Sequence, residues 1–247
     1  MKVALCCIAK NEDKYIEEWL QYNLYLGFDH IFMYQNDWDY PIDCPLITRI
    51  QIDGIGRQEE AYNHFLKTYK DDYDWVAFFD VDEFLVLKQH KDIKRFLLEY
   101  IDYDGVGINW YLFGDNGNKE PNENYSVLER FTKRSKKMDD HIKSIVKTNI
   151  KAIYGTHSPH KLPIVDTKKN KIVGPFNKNT TDEIAQLNHY FTKTWIEWQY
   201  KKNRGRANRR KNEKLPNRSD DDFHNHNFNE VTDTLALDFF KNKSTIF

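Results

Sequence analysis

The sequence predicts an α/β protein with a mixed, mostly parallel central sheet flanked by helices. Three observations predict it. Short apolar runs alternate with amphipathic runs through the first hundred residues, the rhythm of parallel strands joined by helical crossovers. Hydrophobic residues make up 40% and aromatic residues 15% of the 247, enough to cover both faces of such a sheet. Polar residues gather where apolar runs end: Lys10, Asn11 and Glu12 after the first, Asn36 and Asp37 after the second, Asp80 and Asp82 after the fourth. Open α/β sheets bind their ligands at that rim.

The elements follow in order. "KVALCCIA" is a short apolar run suited to a buried strand. "NEDKYIEEWLQYNLYLG" has acids in its first turn, Ile16, Trp19, Leu20 and Leu24 at helical spacing, and Gly27 as a stop. "HIFMYQND" and "LITRIQI" read as strands, "EEAYNHFLKTYK" as a helix and "WVAFFDVD" as the next strand. After Asp104 the rhythm changes. "GVGINWYLFG", "SVLERF", "KSIVKT" and "KIVG" read as β-rich pieces between polar loops, and from Thr192 the chain turns helical and basic. The economical organisation is a single domain: a nucleotide-type half over 1–103, a mixed half over 104–192, and a basic helical segment over 193–247.

With 37 Lys and Arg against 38 Asp and Glu, the formal charge is −1, which makes no case for nucleic acid as a partner. Cys6, Cys7 and Cys44 lack metal-like spacing and fit a reducing, cytoplasmic compartment. The opening apolar run is too short for a signal sequence, and no run approaches the ~20 apolar residues of a membrane span.

The stretch "DWVAFFDVDEFLVL" places Asp80, Asp82 and Glu83 inside an apolar run. On a regular strand Asp80 and Asp82 share a face, where neighbouring carboxylates repel unless a proton or a cation intervenes. Hard oxygen ligands suit Mn²⁺ or Mg²⁺, which complete their shells with water and phosphate oxygens. The bland alternative is a solvated turn.

Taken together, "CIAKNEDKYIEEWLQYNLYLGFDHIFMYQND", "RQEEAYNHFL", "WVAFFDVDEF", "INWYLFG", "ERF" and "NHYFTKTWIEWQYKKNRGRA" resemble the GT-A glycosyltransferases, in particular family 92 with its DxDEF element. The likeness covers roughly residues 1–210. It implies a GT-A fold and a metal-dependent transfer of a sugar from a nucleotide-diphosphate donor, UDP favoured, to a glycan or lipid-linked acceptor in surface polysaccharide or lipopolysaccharide synthesis. It also implies roles: Ala9, Asn11 and Asp37 at the nucleoside, Arg57, Gln58 and Asn63 reaching the donor from the side, and Asp80 and Asp82 on the metal with His189 as third ligand. Lys193 and Arg204 would neutralise the diphosphate. If the reaction inverts, a carboxylate is expected to take the acceptor's proton; Asp115 is the candidate, with Glu83 or Glu120 as alternatives.

His157 and His160 are further metal-ligand candidates, or plain loop histidines. The basic run from Lys201 to Lys211, beside Trp195, Trp198 and Tyr200, reads as a solvated face, a cover for donor phosphates, or a peripheral membrane contact over 195–211. Two further readings stay open: a phosphotransferase with an Asp nucleophile, and a non-catalytic module binding membranes or polyanions.

Overall fold

The structure is a computed structural model that describes residues 1–205, 218–241 and 243–246. The chain runs β1 (Val3–Ala9), α1 (Ile16–Leu26), β2 (His30–Asn36), β3 (Ile47–Ile52), α2 (Gln58–Thr68) and β4 (Trp75–Phe78). It continues through β5 (Glu83–Leu87), α3 (Ile93–Leu98), β6 (Gly105–Leu112), α4 (Val127–Arg130), β7 (Lys133–Arg134) and β8 (Asp139–Lys147). Then come β9 (Ile164–Val165), β10 (Lys171–Ile172), β11 (Ala185–His189), α5 (Trp195–Arg204), α6 (Asp220–His226), β12 (Val231–Thr232) and α7 (Leu235–Phe240).

The central sheet has the order β10-β9-β6-β8-β4-β1-β2-β3. Strands β3, β2, β1 and β4 are parallel neighbours, and β8 enters antiparallel between β4 and β6. One sheet therefore spans residues of both the first half and the mixed half. The two-residue period of β1 explains the helices on its two faces. Val3, Leu5 and Cys7 pack with Ile16, Trp19 and Leu20 of α1, whereas Ala4, Cys6 and Ile8 pack with Tyr62 and Phe65 of α2. Gly27 ends α1 at φ 102°, a left-handed position that a side chain would strain.

Two local expectations are corrected. "SVLERF" forms a helix, not a strand: Ser126 caps Glu129 N–H, and Glu129 returns the bond to Ser126 N–H. Strand β4 ends at Phe78, so Asp80 and Asp82 sit in a turn closed by Glu83 N–H to Asp80 O at 3.0 Å. They do not share a strand face: Asp80 is partly exposed, and Asp82 is buried.

The basic segment also differs from a uniform solvated face. Trp198 lies in the core, and Lys201 and Arg204 turn inward from α5, leaving Trp195 and Tyr200 exposed. Arg206, Arg209, Arg210 and Lys211 lie outside the described residues. Among the described residues no helix is long and apolar enough to cross a membrane.

Candidate active site

A cavity of about 410 Å³ opens at the C-terminal ends of β1, β2 and β4, the rim the sequence pointed to. Ala9, Gln58, Asp80 and Asp82 line it, together with Trp110, Asp139, His141, His157 and His189 and with Lys201 and Arg204 of α5.

The acidic turn is charge-balanced by two lysines distant in sequence. Lys143 on β8, fully buried, reaches Asp80 Oδ2 at 2.9 Å and Glu83 Oε2 at 3.8 Å. Lys201 on α5 donates to Asp82 Oδ2 at 2.6 Å and to Phe191 O at 2.7 Å. Asp80 Oδ1 also accepts from Gln58 Nε2 at 2.6 Å and Tyr62 Oη at 3.3 Å. Burial pushes both aspartates up, but Lys143 holds Asp80 below the ordinary carboxylate value, and Lys201 with His189 holds Asp82 well below it. Glu83 is different. Burial dominates, raises its carboxyl well above the ordinary value and leaves Oε1 without a partner, while Oε2 accepts Asp80 N–H at 2.9 Å. The buried Lys201 ammonium is itself pushed down to about 7 by desolvation.

The histidines are held neutral. Desolvation lowers His189, whose Nε2 lies 3.5 Å from Asp82 Oδ1. Desolvation, with Lys143 nearby, lowers His157 to about 3. His141 differs: its Nδ1 meets Asp139 Oδ1 at 2.6 Å, and its ring stacks on Trp110 at 5.0 Å. Burial raises the Asp139 carboxyl, yet the bonds from His141 leave it below the ordinary value.

Of the residues the sequence singled out, Ala9, Gln58, Asp80, Asp82, His157, His189 and Arg204 converge on the cavity. Lys10, Glu12 and Asn36 of the strand-end rim and Lys201 of the basic run line it too, whereas the remaining candidates do not. Asn11, exposed at φ 51°, offers its carbonyl to Arg204. Asp37 pairs with Lys10 at 2.9 Å and accepts Gly54 N–H, bracing the cavity mouth from outside. Arg57 folds back on Glu60 and Asp53 O. Asn63 exchanges two 2.8 Å bonds with the Tyr154 backbone and ties α2 to the loop carrying His157. Lys193 lies over the Tyr15 ring at 4.5 Å. Asp115 closes a turn, accepting from Gly117 N–H and Asn229 Nδ2. Glu83 sits wholly beneath the turn, and Glu120 and His160 are exposed away from the cavity.

Sequence reasoning missed Lys143, Lys201 as a site residue, and the Asp139–His141 pair. "DDHIKSIVKT" carried a signal for two of these: on a strand, residues 139, 141 and 143 alternate onto one face.

The cavity thus sits at the strand-end rim of an α/β sheet and is lined by a lysine-balanced acidic turn. The profile of glycosyltransferase family 92 matches residues 52–227, and the chain belongs to that family. A family 92 protein of Arabidopsis thaliana is 22% identical over 244 residues, covering 84% of this chain and 41% of the relative. One of Ricinus communis is 24% identical over 222 residues, covering 78% and 36%. The chain thus spans about two fifths of the length of these relatives. Among solved structures, 2-C-methyl-D-erythritol 4-phosphate cytidylyltransferase of Francisella tularensis is similar at a TM-score of 0.36 and 12% identity, over 60% of this chain and 73% of that one.

Proposed function

We propose that the chain transfers a sugar, with inversion, from a UDP-type donor to a hydroxyl of a glycan or lipid-linked acceptor, aided by Mn²⁺ or Mg²⁺. The observation that carries this reading is the acidic turn at the sheet rim in a chain of glycosyltransferase family 92. A cytoplasmic enzyme of surface-polysaccharide synthesis is the setting we favour, in keeping with three free, buried cysteines.

Among the described residues no three His, Cys, Asp or Glu surround a common metal position. Asp82 Oδ1 and His189 Nε2, 3.5 Å apart on the cavity wall, nonetheless fit an ion that takes its remaining ligands from water and phosphate. Those two residues would hold it, and the ion would offset charge developing on the diphosphate. Arg204 supplies positive charge at the same cavity, and Lys201 does so while protonated. Arg204 is aimed by Glu12 and by Lys10 O at 2.7 Å. Gln58 and Lys143 fix Asp80 so that it keeps one orientation toward the ligand. Both oxygens of Asp80 are thereby engaged, which disfavours the reading of Asp80 as a phosphoryl-accepting nucleophile.

Calorimetric titration with UDP, with and without Mn²⁺, tests the proposal. Binding is expected to need the metal, and Asp82→Ala to weaken it by at least ~100-fold, the upper end of what loss of a supporting group costs a metal site. Unchanged metal-dependent binding by Asp82→Ala sinks the reading.

A further inference from the structure

We propose that Asp139 and His141 form the general-base pair of an acceptor subsite, with the neighbouring Phe176 ring as the surface on which an acceptor sugar rests. This deepens, and rests on, the transferase reading.

The first support is the backbone. The β6–β8 ladder pairs Asn109 with Ile142 but Trp110 with Asp139, so Asp140 and His141 bulge out of register. Bulges of this kind re-aim side chains beside functional sites. This one is built rather than accidental. The buried Asn109 amide donates to Asp139 O at 3.1 Å, Asp140 O at 3.2 Å and Asn177 O at 3.0 Å. Asn177 N–H binds Asp140 O at 2.8 Å, and Ile142 N–H binds Pro175 O at 3.1 Å.

The second support is what the bulge presents. His141 Nδ1 donates to Asp139, which leaves Nε2 as the proton-accepting atom with no hydrogen-bond partner among the described residues. The pair lines the cavity. Trp110 separates it from the acidic turn, with His141 stacked on the indole at 5.0 Å and His189 meeting it edge-on at 4.5 Å. Both regions line one cavity, so an acceptor hydroxyl at His141 would share it with a donor held at Asp82.

The third support is Phe176. It is 51% exposed, yet its ring centroid lies 4.6 Å from that of His141, and the two backbones bridge. An exposed aromatic face beside convergent polar groups suits the apolar face of a sugar ring.

In the step assigned here, the acceptor hydroxyl gives its proton to His141 Nε2 as its oxygen bonds to the anomeric carbon. The bond from that carbon to the diphosphate oxygen breaks, and its electron pair leaves with the nucleotide diphosphate. Asp139 balances the imidazolium, as a carboxylate partner does for a catalytic imidazole. None of the carboxylates considered from the sequence lines the cavity: Asp115 closes a turn, Glu83 is fully buried, and Glu120 is exposed outside the lining.

The test uses the full chain with UDP-sugar donors and glycan acceptors. His141→Ala is expected to lower kcat by roughly 10²–10⁴-fold, to keep UDP affinity, and to regain turnover with added imidazole. Asp139→Asn, which preserves size and an acceptor for Nδ1–H, is expected to lose roughly 100-fold in kcat. Phe176→Ala should raise the acceptor KM and leave the donor KM unchanged. A His141→Ala enzyme within threefold of the original kcat overturns the proposal. Should that variant lose UDP binding through misfolding, Asp139→Asn decides, and an unchanged kcat there overturns it equally. Absence of UDP binding in the unaltered chain instead counts against the transferase reading itself.

Discussion

The turn at residues 79–83 and the bulge at residues 139–141 each bring an aspartate to the same cavity but hold it in opposite ways. In the turn, Asp80 and Asp82 are met by ammonium groups from two other elements, and their oxygens are nearly saturated with hydrogen bonds. In the bulge, Asp139 meets one imidazole at a partly exposed edge, and the imidazole Nε2 has no hydrogen-bond partner among the described residues. A saturated charge cluster fixes geometry and electrostatic potential. A half-satisfied pair can accept and return a proton. The difference predicts that damage to the turn appears in stability and ligand binding, and damage to the bulge in turnover.

The largest expected effect is at Lys143. Lys143→Met leaves the buried Glu83 and the partly exposed Asp80 without their shared counter-ion, a loss that typically costs roughly 3–5 kcal/mol. Urea denaturation should show it, and adding Glu83→Gln should recover part of it. A loss below ~1 kcal/mol would mean that the turn does not depend on its lysine and would break the contrast.

Asn109 comes next. Asn109→Ala removes a buried donor from the bulge carbonyls and is expected to cost about 1–3 kcal/mol. If the bulge aims His141, kcat falls more than UDP affinity does; equal loss of both would merge the two regions into one.

The smallest effect is a pH slope. His157 is held neutral down to about 3 when folded, against 6.5 ordinarily. Across that window the unfolded chain binds the additional proton, so the His157 contribution to stability falls as pH falls, by at most ~1.4 kcal/mol per unit, and is flat above it. Asp80 and Asp82 act in the same direction only below about 4. Stability curves of the protein and of His157→Gln should therefore diverge in slope between about pH 4 and 6.5; parallel curves would show that His157 protonates freely.

Much of the first half was legible because local signals and tertiary demands agree there. The two-sided apolar strand Val3–Ala9, the Gly27 stop and the helix bearing Ala61 and Phe65 follow from period and propensity alone. The acidic pair was legible as chemistry but not as geometry, since the break at Phe79 carries no turn signal such as Gly or Pro. Ser126 and Glu129 did spell a capping box, but "SVLERF" also reads as strand, and the four-residue helix is too short for periodicity to decide. Lys201 was hidden inside a basic run, where composition favours solvent and only packing of Trp198 turns one face inward. The two-residue spacing of Asp139 and His141 was readable, but not the ladder shift between β6 and β8 at which they sit. Such a shift is set by Asn109 and Asn177 acting across 68 residues, which no local window contains.

Lys201 reaches Asp82 over 119 residues of chain. At ~5–20 residues per second of ribosomal synthesis, that separation corresponds to roughly 6–24 s. A nascent polypeptide thus carries its rim of negative charge well before its own neutralising ammonium exists. The counter-ion of Asp82 waits on translation reaching Trp195–Arg204, so the turn and α5 form their ion pair only late in synthesis.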